Sequence, residues 1–199
     1  MAQTLKDKVI KAAVRYVAAN GPDGLSFRQI AADAGVSHQA PYHHFGDRSA
    51  IFAEIARQGF ARFTEMLAAA PRPDEDGDVM VRMCERYVDF ALSHKGHFRV
   101  MFRADLCRMD DYPDTRTAAD AAFQTLLDAV VGILGDGASV DDIRLQATTM
   151  WSVAHGLATL LIDGPLEQKL GNVADQRALA REVARRFIAG APAARPERG

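Results

Sequence analysis

The stretch GLSFRQIAADAGVSHQAPYHHFGDR, residues 24–48, decides how the chain folds. Ser26 stands three residues before Gln29, the spacing of a helix N-cap with a capping partner. Ile30, Ala31 and Ala34 then give a short helix a small apolar face. Gly35 supplies the positive φ that a tight turn needs. Ser37 is placed to cap a second short helix from His38 to about Phe45, with Phe45 anchoring its far end. Two short helices joined by a glycine turn, braced by a longer helix on either side, form a helix-turn-helix. His38, Gln39, Ala40, Tyr42 and His43 are expected largely outward, and Val36 is expected to plug the turn.

Working outward, the hydrophobic spacing predicts a helix over residues 4–20, with Gly21 and Pro22 as its stop. A long amphipathic helix is expected over 47–70. PRPDEDGD, residues 71–78, cannot continue it. Further helices are expected at 78–95, 97–107, 113–135, 140–163 and 175–189. Residues 191–199 read as a disordered tail. The chain is expected to be all-α, with about nine helices. A three-helix head over 1–65 carries the helix-turn-helix at about 26–45, and a helical body spans 66–190.

The 199 residues suffice for one substantial domain or for a small one beside a larger one. Two cysteines are too few for a disulfide framework, so a reducing cytoplasm is expected. The start carries charges throughout and no signal core, and no uninterrupted apolar run reaches bilayer length. No membrane association is expected. The net charge of −2 excludes a uniformly basic surface. Residues 1–65 nonetheless hold eight basic against six acidic side chains, so a local contact with a polyanion is permitted.

His38, His43 and His44 invite a metal reading, but His38 and His43 are five apart and off one helical face. No phosphate loop or nucleophile elbow accompanies them. No metal, cofactor or catalytic residue is therefore expected. Cys84 and Cys107 read as packed thiols.

Residues 24–48 resemble the DNA-binding signature of the TetR family of bacterial transcriptional regulators. The resemblance rests on the Ser26-initiated helix, Ile30-Ala31, Ala34-Gly35-Val36-Ser37, Tyr42-x-His44-Phe45 and a basic residue at 48. It covers residues 4–65. Trp151, His155 and Gly156 are similar to the Trp-His-Gly signature of one body type in that family. Pro41 and Arg48 depart from the usual Leu or Ile and Lys. Pro41, read as the fourth helical position, would forfeit about one hydrogen bond.

The resemblance implies a regulator, a repressor in the first instance, released from a palindromic operator in double-stranded DNA by a small-molecule effector. Gln39, Ala40, Pro41 and His43 are then the base-contact candidates. Ser26, Arg28, His38, Tyr42, His44 and Arg48 complete the expected DNA face, mostly at phosphates. An apolar effector cavity would draw on Met83, Tyr87, Phe90, Phe98, Met101, Phe102, Phe123, Trp151 and His155. His155 or Tyr87 would be its polar handle. A homodimer would pack through Ser152, Gly156, Thr159, Leu160, Val183 and Phe187. The rival reading is an all-helical small-molecule-binding protein or enzyme that merely keeps such a head.

Overall fold

A computed structural model describes residues 4–69, 79–135, 137–164, 166–171 and 175–190. The expected boundary at 71–78 and the expected tail at 191–199 lie outside them. The described residues form ten α-helices and one 3-10 turn, with no strand. The helices are α1 (Leu5–Asn20), α2 (Phe27–Ala34), α3 (Ala40–Phe45), α4 (Arg48–Ala68) and α5 (Val79–Ser93). They continue as α6 (Lys95–Met101), α7 (Pro113–Leu134), α8 (Val140–Ile162), α9 (Leu166–Leu170) and α10 (Gln176–Gly190). The 3-10 turn is Met109–Asp111. The all-α class and the nine expected helices are present, and α9 is additional.

The chain forms two compact units. Unit 1 joins Met1–Ala68 with Phe90–Leu126, and unit 2 joins Ala69–Asp89 with Leu127–Gly199. Packing therefore divides the chain differently from the expected cut at 65/66. The helix α6, expected to belong to the body, packs against α1 and α4. Arg99 of α6 donates to the carbonyls of Val17 and Ala18, at 3.1 and 2.7 Å. Those carbonyls lie in the last turn of α1, which has no basic residue of its own. A cation supplied from outside satisfies them and complements the helix dipole.

Two glycines let these helices approach. A Cβ at Gly96 would collide with the Val14 carbonyl of α1. A Cβ at Gly59 would meet the Met101 sulfur at 2.6 Å. Gly96 falls between the helices expected at 78–95 and 97–107. It instead sits in the first turn of α6, where its lack of a side chain serves packing.

The core of unit 1 includes Val9, Val17, Leu25, Ile30, Ile51, Phe52 and Ile55. Thr115 at the start of α7 donates its hydroxyl to the Ala53 carbonyl at 3.1 Å. In unit 2, α10 is tied to α5 by Arg177–Asp89 at 2.6 Å and Arg181–Glu85 at 2.7 Å. Ser139 and Asp142 close a capping box at the start of α8. By length and composition α7 suffices to cross a membrane. The sequence reading missed this because Asp120, Gln124 and Asp128 interrupt its apolar residues.

Candidate nucleic-acid interface

The helix α2 begins as its sequence dictates. The Ser26 hydroxyl accepts the Gln29 N–H at 3.2 Å. The Gln29 amide turns instead to Asp33, at 2.9 Å, so the capping box is only half formed. Gly35 is left-handed at φ 65°, and the Val36 N–H returns to the Ala31 carbonyl.

The next helix starts later than expected. It begins at Ala40, not His38, and its N-cap residue, Gln39, makes no side-chain cap. Ser37 contributes its backbone carbonyl, which accepts the Ala40 N–H at 3.0 Å. Pro41 thus lies in the first turn of α3, where an N–H has no intrahelical partner to lose. The expected hydrogen-bond penalty at Pro41 does not arise.

Burial sorts the ten expected DNA-face residues. Ser26, Arg28, His38, Gln39, Tyr42, His43, His44 and Arg48 are exposed. Ala40 and Pro41, expected among the base-contact candidates, are buried. They are the face that α3 turns toward the core. The Tyr42 ring stands edge-on to Phe27 at 4.4 Å, yet keeps more than half its surface in solvent. Arg48 donates to the Leu25 carbonyl at 3.1 Å, pinning the start of α4 to the turn before α2. Asp47 caps α4 by accepting the Ala50 N–H at 2.9 Å.

Beside this face lies an open cleft of about 590 Å³. Ser26, Phe27, Tyr42, Arg48 and Ser49 line it from the head, and Asp105 and Leu106 from the loop after α6. The sequence reading missed that loop, having extended the helix to residue 107. Ser49 holds it by donating to the Leu106 carbonyl at 3.1 Å. No local signal near residue 105 could have revealed a contact set 57 residues away in the chain.

The expected effector residues divide between the units. Met83, Tyr87, Trp151 and His155 belong to unit 2. Trp151 Nε1 donates to the Tyr87 hydroxyl at 3.3 Å, and that hydroxyl lies 2.8 Å from His155 Nδ1. An indole only donates, so the Tyr87 oxygen accepts from Trp151. Burial lowers the His155 pKa and raises that of Tyr87, which agrees with two neutral partners. Replacing Tyr87 with Phe is expected to cost about 1 kcal/mol, read as a lower urea midpoint. An unchanged midpoint would show that the hydroxyl contributes nothing.

Phe90, Phe98, Met101 and Phe102 pack inside unit 1. Phe90 lies 4.9 Å from Phe63, and Phe102 lies 5.6 Å from both Phe60 and Phe98. Phe123 is 41% exposed. The expected contact residues of a dimer lie open: Ser152, Gly156, Thr159, Leu160 and Phe187 are exposed and Val183 half-buried. No group of His, Cys, Asp or Glu able to hold a metal occurs among the described residues.

Residues 9–55 match the profile of the bacterial regulatory proteins of the tetR family. Residues 80–187 match that of the tetracyclin repressor-like C-terminal domain. The chain is 32% identical over 177 residues to the HTH-type transcriptional repressor AcnR of Corynebacterium glutamicum, spanning 85% of this chain and 88% of that one. A solved protein of unknown function from Rhodococcus sp. RHA1 is 28% identical, with a TM-score of 0.70 over 95% of this chain and 96% of the other. The fatty acid degradation regulator FadR of Bacillus halodurans, 16% identical, shares the fold at a TM-score of 0.70 over 96% and 98%. With the helix-turn-helix in place and both parts of the chain matched, the protein belongs to the TetR family of DNA-binding transcriptional regulators.

Proposed function

We propose that the protein is a cytoplasmic, homodimeric repressor that leaves a palindromic operator when a largely apolar effector binds. The observation that carries the reading is the exposed set His38, Gln39, Tyr42, His43 and His44 on a segment whose buried residues, Ala40 and Pro41, seat it on the core. Residues 1–65 act as the reading head and 66–190 as the effector-binding and dimerisation part. The similarity to a named repressor supports repression over activation.

Gln39 and His43 face base edges in this reading. Ser26, Arg28, His38, Tyr42, His44 and Arg48 face phosphates. Arg48 retains donors beyond the one given to Leu25, since a guanidinium carries five. The two heads of a dimer meet half-sites about 34–36 Å apart. The exposed Leu160 and Phe187 and the half-buried Val183, with the small residues Ser152, Gly156 and Thr159, form the face for the second subunit. The Tyr87–His155–Trp151 group, with Met83 beside it in sequence, is the polar handle of the effector site. Coupling is reciprocal: the effector weakens operator binding by the factor by which operator weakens effector binding.

Footprinting of purified protein on genomic fragments is expected to protect a palindrome. Uniform weak binding to all fragments at moderate salt would refute the proposal. Gln39→Ala is expected to change base preference at one position per half-site, losing about 1–3 kcal/mol of discrimination. Measured on single-base operator variants, a uniform loss at every position would remove Gln39 from base reading.

A further inference from the structure

The loop after α6 brings an acid to the cleft beside the DNA-facing residues. Asp105 lines that cleft with Ser26, Tyr42 and Arg48. Asp23, in the turn before α2, is 84% exposed. Carboxylates at such places repel phosphates, and the repulsion reaches about 8–10 Å at ordinary salt. One side chain answers both. Arg103 forms a two-pronged pair with Asp105, Nε to Oδ1 at 2.8 Å and Nη2 to Oδ2 at 2.7 Å. Its Nη2 also lies 3.5 Å from Asp23.

We infer that Arg103 is a positioning residue for DNA binding: it offsets one of the two negative charges that Asp105 and Asp23 place beside the face that meets the phosphates. This rests on the DNA face proposed above. Three features support it. The pair is bidentate, the geometry in which an arginine holds a carboxylate most firmly. Its hydrogen bonds hold the Asp105 carboxyl below the usual carboxylate range, so that acid is charged at neutral pH. The loop itself is fastened, by Ser49 to the Leu106 carbonyl and by the turn from the Leu106 N–H to the Arg103 carbonyl. Arg103 acts through the acids and is not assigned a phosphate of its own. It lies outside the helix-turn-helix, so the head's charge balance depends on a loop that α6 carries.

The effect is sequence-independent, so a random 30-base-pair duplex is a sufficient probe. Fluorescence anisotropy at low salt is expected to show Arg103→Gln binding about fivefold more weakly, with Arg103→Lys recovering most of the loss. Asp105→Asn is expected to bind about twofold more tightly. Arg103→Gln combined with Asp105→Asn leaves the local net charge unchanged and should bind within about twofold of the wild type. Raising the salt should erase the loss caused by Arg103→Gln alone.

Several outcomes overturn the inference. One is an unchanged affinity in Arg103→Gln while the wild type binds. Another is a loss that persists in the charge-balanced Arg103→Gln, Asp105→Asn protein, which would make Arg103 a direct phosphate contact. Equal loss at high and low salt, with a lowered urea midpoint, would make the role structural. If the wild-type protein binds no duplex at all, the proposed function falls as well.

Discussion

Replacing Gly96 with alanine is expected to destabilise unit 1 by about 2–3 kcal/mol and to weaken DNA binding. Two effects oppose each other. Alanine is the better helix former, worth about 1 kcal/mol over glycine inside a helix. Against this, the new methyl would run into the Val14 carbonyl, with the Val14 side chain at 3.0 Å. A flexible side chain could swing away, but the carbonyl is part of the α1 ladder and cannot. The helix α6 must then back off from α1, and the two bonds from Arg99 to Val17 and Ala18 stretch. The clash outweighs the propensity gain, so the net sign is destabilising. Urea unfolding of the full chain checks the first part, and duplex binding at a concentration where the variant is folded checks the second. A Gly96→Ala protein as stable as the wild type would show that α1 and α6 are not held at this distance. At Gly156, where a Cβ would meet nothing within 4 Å, alanine serves as the contrast. It should be neutral or slightly stabilising in the folded subunit.

Signals that act within a few residues were legible in the sequence. Thr4, Ser26 and the glycines at 21 and 35 set helix ends through bonds to their own neighbours, and the structure places those ends within a residue of expectation. The start of α3 was misread because two local signals conflicted. Ser37 looks like an N-cap and Pro41 like a first-turn residue, but they stand too far apart to serve one helix start. The proline wins, since its ring excludes a deep helical position while a serine can remain uncapped. Ala40, expected outward, is buried instead. Elsewhere the missing information was non-local. Gly96 reads as a break unless the Val14 carbonyl is known to press on it. Lys95–Met101 was expected to begin later and run to residue 107, and nothing near Arg103 announces its bond to Asp23 across the turn before α2. The Tyr87–His155–Trp151 group was half legible, since each residue was singled out but not the bonds between them.

The buried imidazole of His97 leads to the second large prediction, a loss of stability between pH 6.5 and about 4. His97 is 7% exposed. Its Nε2 lies 3.2 Å from Arg62 Nη1. A guanidinium only donates, so Nε2 accepts and the proton sits on Nδ1. That Nδ1 is buried and meets no hydrogen-bond partner among the described residues. Burial, then the neighbouring Arg62 charge, then His94 push the His97 pKa down to about 4. In the unfolded chain it titrates near the ordinary value of 6.5. Between these values the unfolded chain binds a proton that the folded chain refuses. The contribution is therefore complete above pH 6.5, falls as the pH drops toward 4, and is gone below it. Its upper bound is about 3 kcal/mol. Protonation would also turn Nε2 into a donor facing a donor, breaking the link from α4 to α6. His97→Gln offers a side-chain oxygen to Arg62 without titrating, so its stability curve should be flatter across the same interval. Urea midpoints of both proteins from pH 7.5 to 4 decide the matter. Parallel slopes for wild type and variant would mean that His97 is not the group responsible, whatever the acid sensitivity of the rest of the chain.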